Sequence, residues 1–219
     1  MVAKLAAEFL GTALIVATVL GAGFAQAALG AGSALGLFMI AVSVASVLYV
    51  CISMLGPISG AHFNPVVSLA LLIQKATSLA QTIAYISAQV LGALAGALVA
   101  NLMFSSDFVF SSVARTSPGA FLGEVVATAG LVLIVLLLIQ FSKTDLIASA
   151  IALWILAGHI FTSSTSFANP AVTIGRVVSN SPSSIAPDSA LWFILAQMAG
   201  LLVSLFLYSI LVRKQGMHE

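Results

Sequence analysis

Two Asn-Pro pairs, Asn64-Pro65 and Asn169-Pro170, lie deep inside hydrophobic sequence. Asparagine is among the best N-cap residues, and proline is preformed for the first position of a helix. Each pair therefore predicts the start of a short helix in an apolar environment. Each asparagine would cap its own helix through its carbonyl oxygen, which leaves the side-chain N–H groups free to donate to a water or hydroxyl oxygen.

The composition predicts a membrane protein with many spans. Of the 219 residues, 61% are hydrophobic and 6% are charged, and the mean hydropathy is +1.21. Because a soluble domain needs more polar surface than this, we expect an all-α protein in a lipid bilayer. The net charge of +1 offers no basic face for nucleic acid. We find no metal-ligand cluster, phosphate loop or nucleophile–base pair in the sequence, so we expect no metal, no cofactor and no enzyme activity.

Six stretches are long enough to cross a bilayer, which takes about 20 apolar residues. They cover residues 5–24, 35–55, 80–104, 121–141, 146–162 and 191–212. Two more apolar stretches, residues 64–73 and 169–178, begin at the Asn-Pro pairs and reach only about half way across. A half-span is stable only where its free end is buried in protein or lines a wet cavity. The sequence thus predicts six transmembrane helices plus two half-spanning, re-entrant helices.

The two halves of the chain repeat each other. Residues 7–12 read AEFLGT and residues 123–128 read GEVVAT; each half continues with its Asn-Pro pair and then an Ala-Gln pair that contains Gln89 or Gln197. Three spans per repeat is an odd number, so the second repeat enters the membrane from the opposite side, as an inverted repeat with its site near the midplane. We expect one domain over residues 1–219, with repeat one at about 1–105 and repeat two at about 118–215.

The basic residues predict the orientation of the chain. One of them, Arg115, falls in a loop on the side away from both termini. Five fall on the side of the termini: Lys4, Lys75, Lys143, Arg213 and Lys214. By the positive-inside rule, both termini are then cytoplasmic.

Taken together, these features resemble the aquaporin, or major intrinsic protein, family, and in particular bacterial members with an atypical, wide selectivity filter. The resemblance covers essentially the whole chain. It implies a right-handed helical bundle in the cell membrane, a pore through each subunit and a homotetramer. The half-helices at the two Asn-Pro pairs would enter from the cytoplasmic and outer sides and meet at mid-membrane. The implied midplane residues are Asn64, Pro65, Val66, Asn169, Pro170 and Ala171.

The sequence departs from the family pattern at both motifs. The first Asn-Pro pair is followed by Val66 where the family usually has alanine, and the second is followed by Ala171 and then Val172 where the family has arginine. The nearest arginine, Arg176, comes one helical turn later. It either rims the outer vestibule or pairs with a loop carboxylate or carbonyl. The narrow ring of the pore is therefore expected to lack a cation.

The resemblance also places the selectivity filter on the second and fifth spans. The position that is often aromatic in the second span falls at Val44, and its partner in the fifth span falls near Ala157, with Gly158 and His159 as alternatives. With Val172 in the ring, we expect a constriction that is wide and apolar.

The two half-helices and the loops before them are expected to place polar groups along the pore. Two helix starts that face each other near the midplane each carry about half a positive charge, which raises a barrier to cations, and fixed donors orient water against proton transfer. The non-helical segments before the caps would present carbonyl oxygens along the pore. His62 either lines the inner mouth or ties down its loop. The predicted pore-lining loop residues are Gly60, Ala61, His62, Thr165, Ser166, Phe167 and Ala168.

Two glutamates, Glu8 and Glu124, lie within predicted spans, where an unpartnered carboxylate is costly. One interpretation is structural: each accepts hydrogen bonds from the backbone of the neighbouring half-helix loop, with Gln89 and Gln197 as interhelical ties. The other is proton coupling, as in a secondary transporter.

We therefore predict a passive channel for small uncharged solutes. The resemblance suggests water together with larger neutral solutes such as glycerol, urea or arsenite-like metalloid hydroxides. The alternatives are an ordinary water-selective aquaporin and a proton-coupled transporter that uses Glu8 or Glu124.

Overall fold

The computed structural model describes the backbone of residues 1–213 and the side chains of residues 1–212. Three sequence-based predictions lie outside the described residues. They are the cytoplasmic position of the Arg213 side chain, that of Lys214, and the end of repeat two at residue 215. In the described range the chain forms eight α-helices and one short 3-10 turn. The helices are α1 (Val2–Ala28), α2 (Ser33–Ser59), α3 (Pro65–Ile73), α4 (Leu79–Met103), α5 (Pro118–Gln140), α6 (Ile147–Phe161), α7 (Pro170–Gly175) and α8 (Pro187–Arg213).

Six of these helices are long and apolar enough to cross a membrane, namely α1, α2, α4, α5, α6 and α8. The fifth, α6, is the shortest with 15 residues, and the 3-10 turn Thr144–Leu146 extends it at its start. The six predicted spans are therefore confirmed, each with ends that differ from the prediction by a few residues. The protein is an all-α, multi-pass membrane protein.

The two short helices α3 and α7 begin at the prolines of the Asn-Pro pairs, with Asn64 and Asn169 as their N-caps. Helix α7 is shorter than predicted: it ends at Gly175, and Arg176 is its C-cap. The chain turns away there because the backbone N–H of Ile185 donates to the Arg176 carbonyl at 3.2 Å and holds the following loop against the helix end.

The helices pack as two equivalent halves. Helix α1 packs along α4, and α5 packs along α8 in the same way; α2 and α6 join the halves, and α3 and α7 touch each other. We call the end of the bundle that holds the start of α1 the near end, and the end that holds the loop 104–117 the far end. This inverted arrangement brings the starts of the two half-helices together inside the bundle.

Close packing of α1 on α4 depends on two glycines one turn apart. A Cβ at Gly92 would collide with the Phe9 carbonyl oxygen, and a Cβ at Gly96 would collide with the Ala13 carbonyl oxygen. Small residues let helix backbones approach in membranes, where dispersion contacts replace the hydrophobic effect as the force between helices.

We expect Gly92→Ala to lower the thermal unfolding midpoint of the detergent-solubilised protein, because overpacking against backbone costs about 1–3 kcal/mol. Gly56→Ala on α2 is the matched control, since a Cβ there would meet only the Ala61 Cβ at 3.9 Å. Both changes add the same helix propensity, so a lower midpoint for Gly92→Ala alone isolates the packing effect. Equal midpoints for the two variants would show that the contact between α1 and α4 accommodates a Cβ at position 92 without loss of stability.

Candidate functional site: a lumen through the bundle

A cavity of about 90 Å³ runs through the bundle along the two half-helices, and we call it the lumen. Most of its wall is aliphatic: Val44, Leu48 and Ile52 of α2 line it, and Leu131, Val135 and Ile139 of α5 face them. Among the described lining residues, six have titratable or hydrogen-bonding side chains. They are His62, Asn64, His159, Ser166, Asn169 and Arg176. The lumen is thus a narrow, mostly apolar passage in which polar side chains occur at a few separate positions.

The polar side chains in the middle of the lumen are those of the two capping asparagines. Asn64 Oδ1 accepts from the backbone N–H of Val66 at 3.1 Å, and Asn169 Oδ1 accepts from those of Ala171 and Val172 at 3.0 and 3.2 Å. These bonds satisfy donors at each helix start and fix both side-chain amides. Their Nδ2 groups are thereby held at the lumen.

The two amides also cross-link the halves of the protein. Asn64 Nδ2 donates to the Ala168 carbonyl at 2.8 Å, and Asn169 Nδ2 donates to the Phe63 carbonyl at 2.8 Å. An amide has two N–H donors. The expectation that all of these donors remain free is therefore wrong, because one on each side is used across the midplane and one on each side remains for a solute oxygen.

The loops before the caps have an unusual backbone. Ala61, Phe63, Thr165, Ser166 and Ala168 all have φ between 48° and 61°, in the left-handed region that side-chain-bearing residues avoid. Such residues cost energy and persist only where the surroundings hold them.

Glu8 supplies that support in the first half. Its Oε1 accepts from the His62 backbone N–H at 3.0 Å and the Ser59 hydroxyl at 2.6 Å, and its Oε2 accepts from the Phe63 N–H at 2.7 Å and Gln89 Nε2 at 2.8 Å. Glu8 is fully buried. These four hydrogen bonds replace those that a charged carboxylate would make with water, and they stabilise it in the buried position.

Glu124 has the equivalent role in the second half. It accepts from the backbone N–H groups of Phe167 and Ala168, both at 2.8 Å, and from Gln197 Nε2 at 2.6 Å. Gln197 also donates to Thr173 on α7 at 3.0 Å, as Gln89 does to Ser68 on α3. Neither glutamate is among the described residues that line the lumen.

His62 unites the two alternatives that the sequence left open. It lines the lumen, and its Nδ1 lies 2.9 Å from the Ser68 hydroxyl while its ring packs edge-on to Tyr85. The Tyr85 hydroxyl donates to the Ser59 carbonyl at 2.8 Å. Sequence reasoning assigned no role to Ser59 or Tyr85, although Ser59 has a counterpart in Ser164, which lies at the same distance before its asparagine and also accepts from a backbone N–H two residues later.

Toward the far end, the lumen is lined by one of the alternatives for the fifth helix, His159, and not by Ala157. Ala157 is exposed on the outside of α6, whereas His159 is buried and lines the lumen. His159 Nδ1 donates to the Ile155 carbonyl at 2.8 Å, so Nε2 is free to accept from a solute. Gly158 instead packs against Ser166, where a Cβ would lie 2.6 Å from the hydroxyl oxygen. The buried Ser166 hydroxyl has no hydrogen-bond partner among the described residues, and Ser166 lines the lumen.

Arg176 also combines both predicted alternatives. It lines the lumen together with Val44 and Val172, and its Nε donates to the Ser183 carbonyl. Its guanidinium carbon lies 3.3 Å from the centre of the Phe167 ring, a close cation–π contact that fixes the charged group. The narrow ring was expected to lack a cation, but Arg176 lines the same lumen as Val44 and Val172, so this expectation is not borne out.

Several predicted site residues lie behind the lumen wall. Pro65, Val66, Pro170 and Ala171 are buried in the half-helices and Thr165 lies in the second loop, and none of them is among the described lining residues. The Ala168 carbonyl is used by Asn64, as described above. Gly60, Ala61 and Phe167 do line the lumen, as predicted from the loop segments.

Comparisons of the whole sequence agree with this geometry. A sequence model of the major intrinsic protein family matches residues 1–166. The chain is 41% identical over 202 residues to aquaglyceroporin AqpS of Rhizobium meliloti, covering 92% of this chain and 86% of that protein. It is 31% identical over 185 residues to Aquaporin-4 of Bos taurus, which covers 78% and 57% of the two chains. Over 106 residues it is 37% identical to the propanediol uptake facilitator PduF of Salmonella typhimurium, covering 48% and 39%.

Among solved structures, the aquaglyceroporin from Plasmodium falciparum superimposes with a TM-score of 0.75. The two chains are 23% identical and are covered to 95% and 94%, so the likeness extends over the complete fold. With its inverted repeat, its two Asn-capped half-helices and its family match, the chain belongs to the major intrinsic protein family.

Proposed function

We propose that the chain is a passive channel for water and larger uncharged solutes, with glycerol, urea and arsenite-like metalloid hydroxides as candidates. The observation that carries this proposal is the pair Asn64 and Asn169, each with one N–H left for the lumen. A solute hydroxyl can accept from both, while the surrounding aliphatic wall suits carbon-bearing edges. The relative named as an aquaglyceroporin supports the wider solute range.

The far-end part of the lumen provides a second reason for a polyol-type solute. Its wall has apolar surface at Val44 and Val172, an acceptor at His159 Nε2 and donors at Arg176. A polyol presents both hydroxyls and C–H edges, so it can use the polar and apolar parts of this wall together. The width of the constriction stays a prediction.

Proton coupling is the less favoured function. A coupling carboxylate has to exchange protons with the transported path, but Glu8 and Glu124 are enclosed by donors behind the loops. Their hydrogen bonds support strained backbone that holds the asparagines in place. We therefore assign them a structural role.

The assembly and orientation follow from the same proposal. We place both termini in the cytoplasm, because Lys4, Lys75 and Lys143 lie at the near end whereas Arg115 lies at the far end. Large apolar side chains remain exposed on the outer faces of the bundle, including Leu102 and Phe206. Lipid covers part of this surface, and a homotetramer would cover the rest.

Stopped-flow light scattering on proteoliposomes tests the solute range. One preparation is challenged with water, glycerol, urea and arsenite gradients, with protein-free liposomes as the baseline. We expect water flux together with glycerol or arsenite flux, and no dependence on an imposed pH gradient, since neither Glu8 nor Glu124 is among the described residues that line the lumen. Water flux without flux of any larger solute would indicate an ordinary water channel. Flux driven by the pH gradient would favour the transporter.

A further inference from the structure

A second cavity of about 330 Å³ lies at the far end, between the starts of α5 and α8. We call it the rim pocket and define it by Arg115, residues 116–118, Phe121, Trp192 and Phe193. None of its described lining residues also lines the lumen. Its volume is in the range of small-molecule sites.

The polar part of the rim pocket is a fixed arginine. Arg115 Nε donates to the Ser184 carbonyl at 2.9 Å, and Nη2 donates to the Pro182 carbonyl at 3.1 Å. Its backbone N–H donates to the Ser189 hydroxyl at 2.9 Å, which joins the loop to the start of α8. Within residues 1–212 the Nη1 group has no acceptor. A guanidinium held in this way keeps donors in a geometry suited to phosphate oxygens.

The apolar part of the rim pocket is open to the bilayer side of the bundle. Trp192 is 55% exposed and Phe121 is 38% exposed, while Phe193 at 1% closes the pocket from within. Both exposed aromatic residues lie in the first two turns of membrane-spanning helices. Aromatic rings at the ends of spans lie at the level of the lipid headgroups.

We propose that the rim pocket binds the headgroup of a membrane phospholipid. The phosphate oxygens accept from Arg115 Nη1 and the Thr116 hydroxyl, and the glycerol and first acyl carbons pack on Phe121 and Trp192. A soluble anion would use the arginine and leave the exposed aromatic surface uncovered, so a lipid satisfies both parts of the pocket. Asp188 is exposed one turn before Trp192 on α8 and suits a headgroup that carries an ammonium as well as a phosphate.

Native mass spectrometry of the detergent-solubilised protein with added phosphatidylethanolamine tests this proposal. We expect Arg115→Gln to weaken lipid binding about tenfold, because a charge-assisted hydrogen bond is lost. Trp192→Ala should weaken it several-fold and leave water flux unchanged, since Trp192 takes no part in the lumen. The matched controls are Lys143→Gln for the charge and Phe206→Ala for an exposed aromatic on α8, and both should bind lipid like the original protein.

Two further probes separate the sources of the signal. Diacylglycerol, which lacks the phosphate, should bind weakly and equally to all variants, and inorganic phosphate should fail to displace the lipid. Arg115 also holds the loop 182–184, so Trp192→Ala, which leaves those bonds intact, keeps the test decisive if Arg115→Gln folds poorly. Unchanged lipid binding in Trp192→Ala, equal binding of diacylglycerol, or displacement by inorganic phosphate would overturn the proposal.

Discussion

Replacing Glu124 by glutamine should remove most of the folded, water-permeable protein. Its two oxygens accept from the Phe167 and Ala168 N–H groups and from Gln197 Nε2, at 2.6 to 2.8 Å. A glutamine amide would turn an N–H toward one of these donors, and a buried donor left unpaired costs about 1–3 kcal/mol. The charge-assisted part of the remaining bonds is lost as well. Thermal unfolding in detergent and water flux in proteoliposomes measure the two consequences.

Glu8→Gln should act in the same direction, because Glu8 supports the first loop through four donors. Asp188→Asn is the control for folding and water flux, since this carboxylate is exposed at the start of α8 and should be replaceable without loss of either. A contrary result is also clear. If Glu124→Gln folds normally and converts pH-dependent transport into pH-independent transport, Glu124 is a coupling residue and the protein is a transporter.

The architecture was readable from the sequence because it depends on local signals. Asn-Pro specifies a helix start by capping and by the fixed φ of proline, whatever surrounds it. Two such starts in matched halves, each within apolar sequence, leave little freedom for the fold. The structure has caps at Asn64 and Asn169 and helices from Pro65 and Pro170, which confirms this part.

The sequence could not decide which of the fifth-helix candidates Ala157, Gly158 and His159 lines the lumen, because this depends on rotational phase. Successive residues of a helix are about 100° apart, so Ala157 and His159 point to nearly opposite sides of α6. The loop between α6 and Asn169 has no regular period from which to count back. An uncertainty of two residues was therefore enough to exchange an outward alanine for a lumen-lining histidine.

Arg176 shows a different limit of sequence reasoning. Counting from Asn169 places its Cα one turn beyond the usual filter position, which suggested that the narrow ring lacks a cation. Side chains of helical residues lean toward the helix start, and arginine is long. The Arg176 guanidinium accordingly lies over Phe167, which precedes the helix in sequence. A count along the chain fixes the backbone position and leaves the position of the charge open.

The cross-links between the two asparagines also required the structure. Each uses a carbonyl of the residue before the other asparagine, Phe63 or Ala168. Both residues have φ of 48°, a conformation that no sequence rule predicts for phenylalanine or alanine. The glutamate hydrogen bonds hold this conformation, so Glu8 and Glu124 act on the lumen through Asn169 and Asn64, respectively.

A cation added at Val172 should make the channel more selective for water. Val172 lines the lumen in the first turn of α7, one turn from Arg176. In Val172→Arg, the new side chain would occupy lumen volume and add donors that bind water well and carbon-bearing edges poorly. Val172 and Arg176 are both buried in the bundle, where like charges repel more than on a solvated helix face, so assembly of the variant is measured before its flux. We expect glycerol and arsenite flux to fall about tenfold relative to water flux, which corresponds to about 1.4 kcal/mol of added barrier.

Two variants separate charge from volume in this prediction. Val172→Leu adds apolar bulk without charge, and it should lower glycerol flux less than Val172→Arg does. Arg176→Ala removes the native cation and should raise the glycerol-to-water flux ratio, because the far-end wall then becomes more apolar. An unchanged ratio in a correctly assembled Val172→Arg protein would contradict the prediction. The barrier to larger solutes would then lie deeper in the lumen, at Asn64 and Asn169, where both halves of the protein contribute a donor.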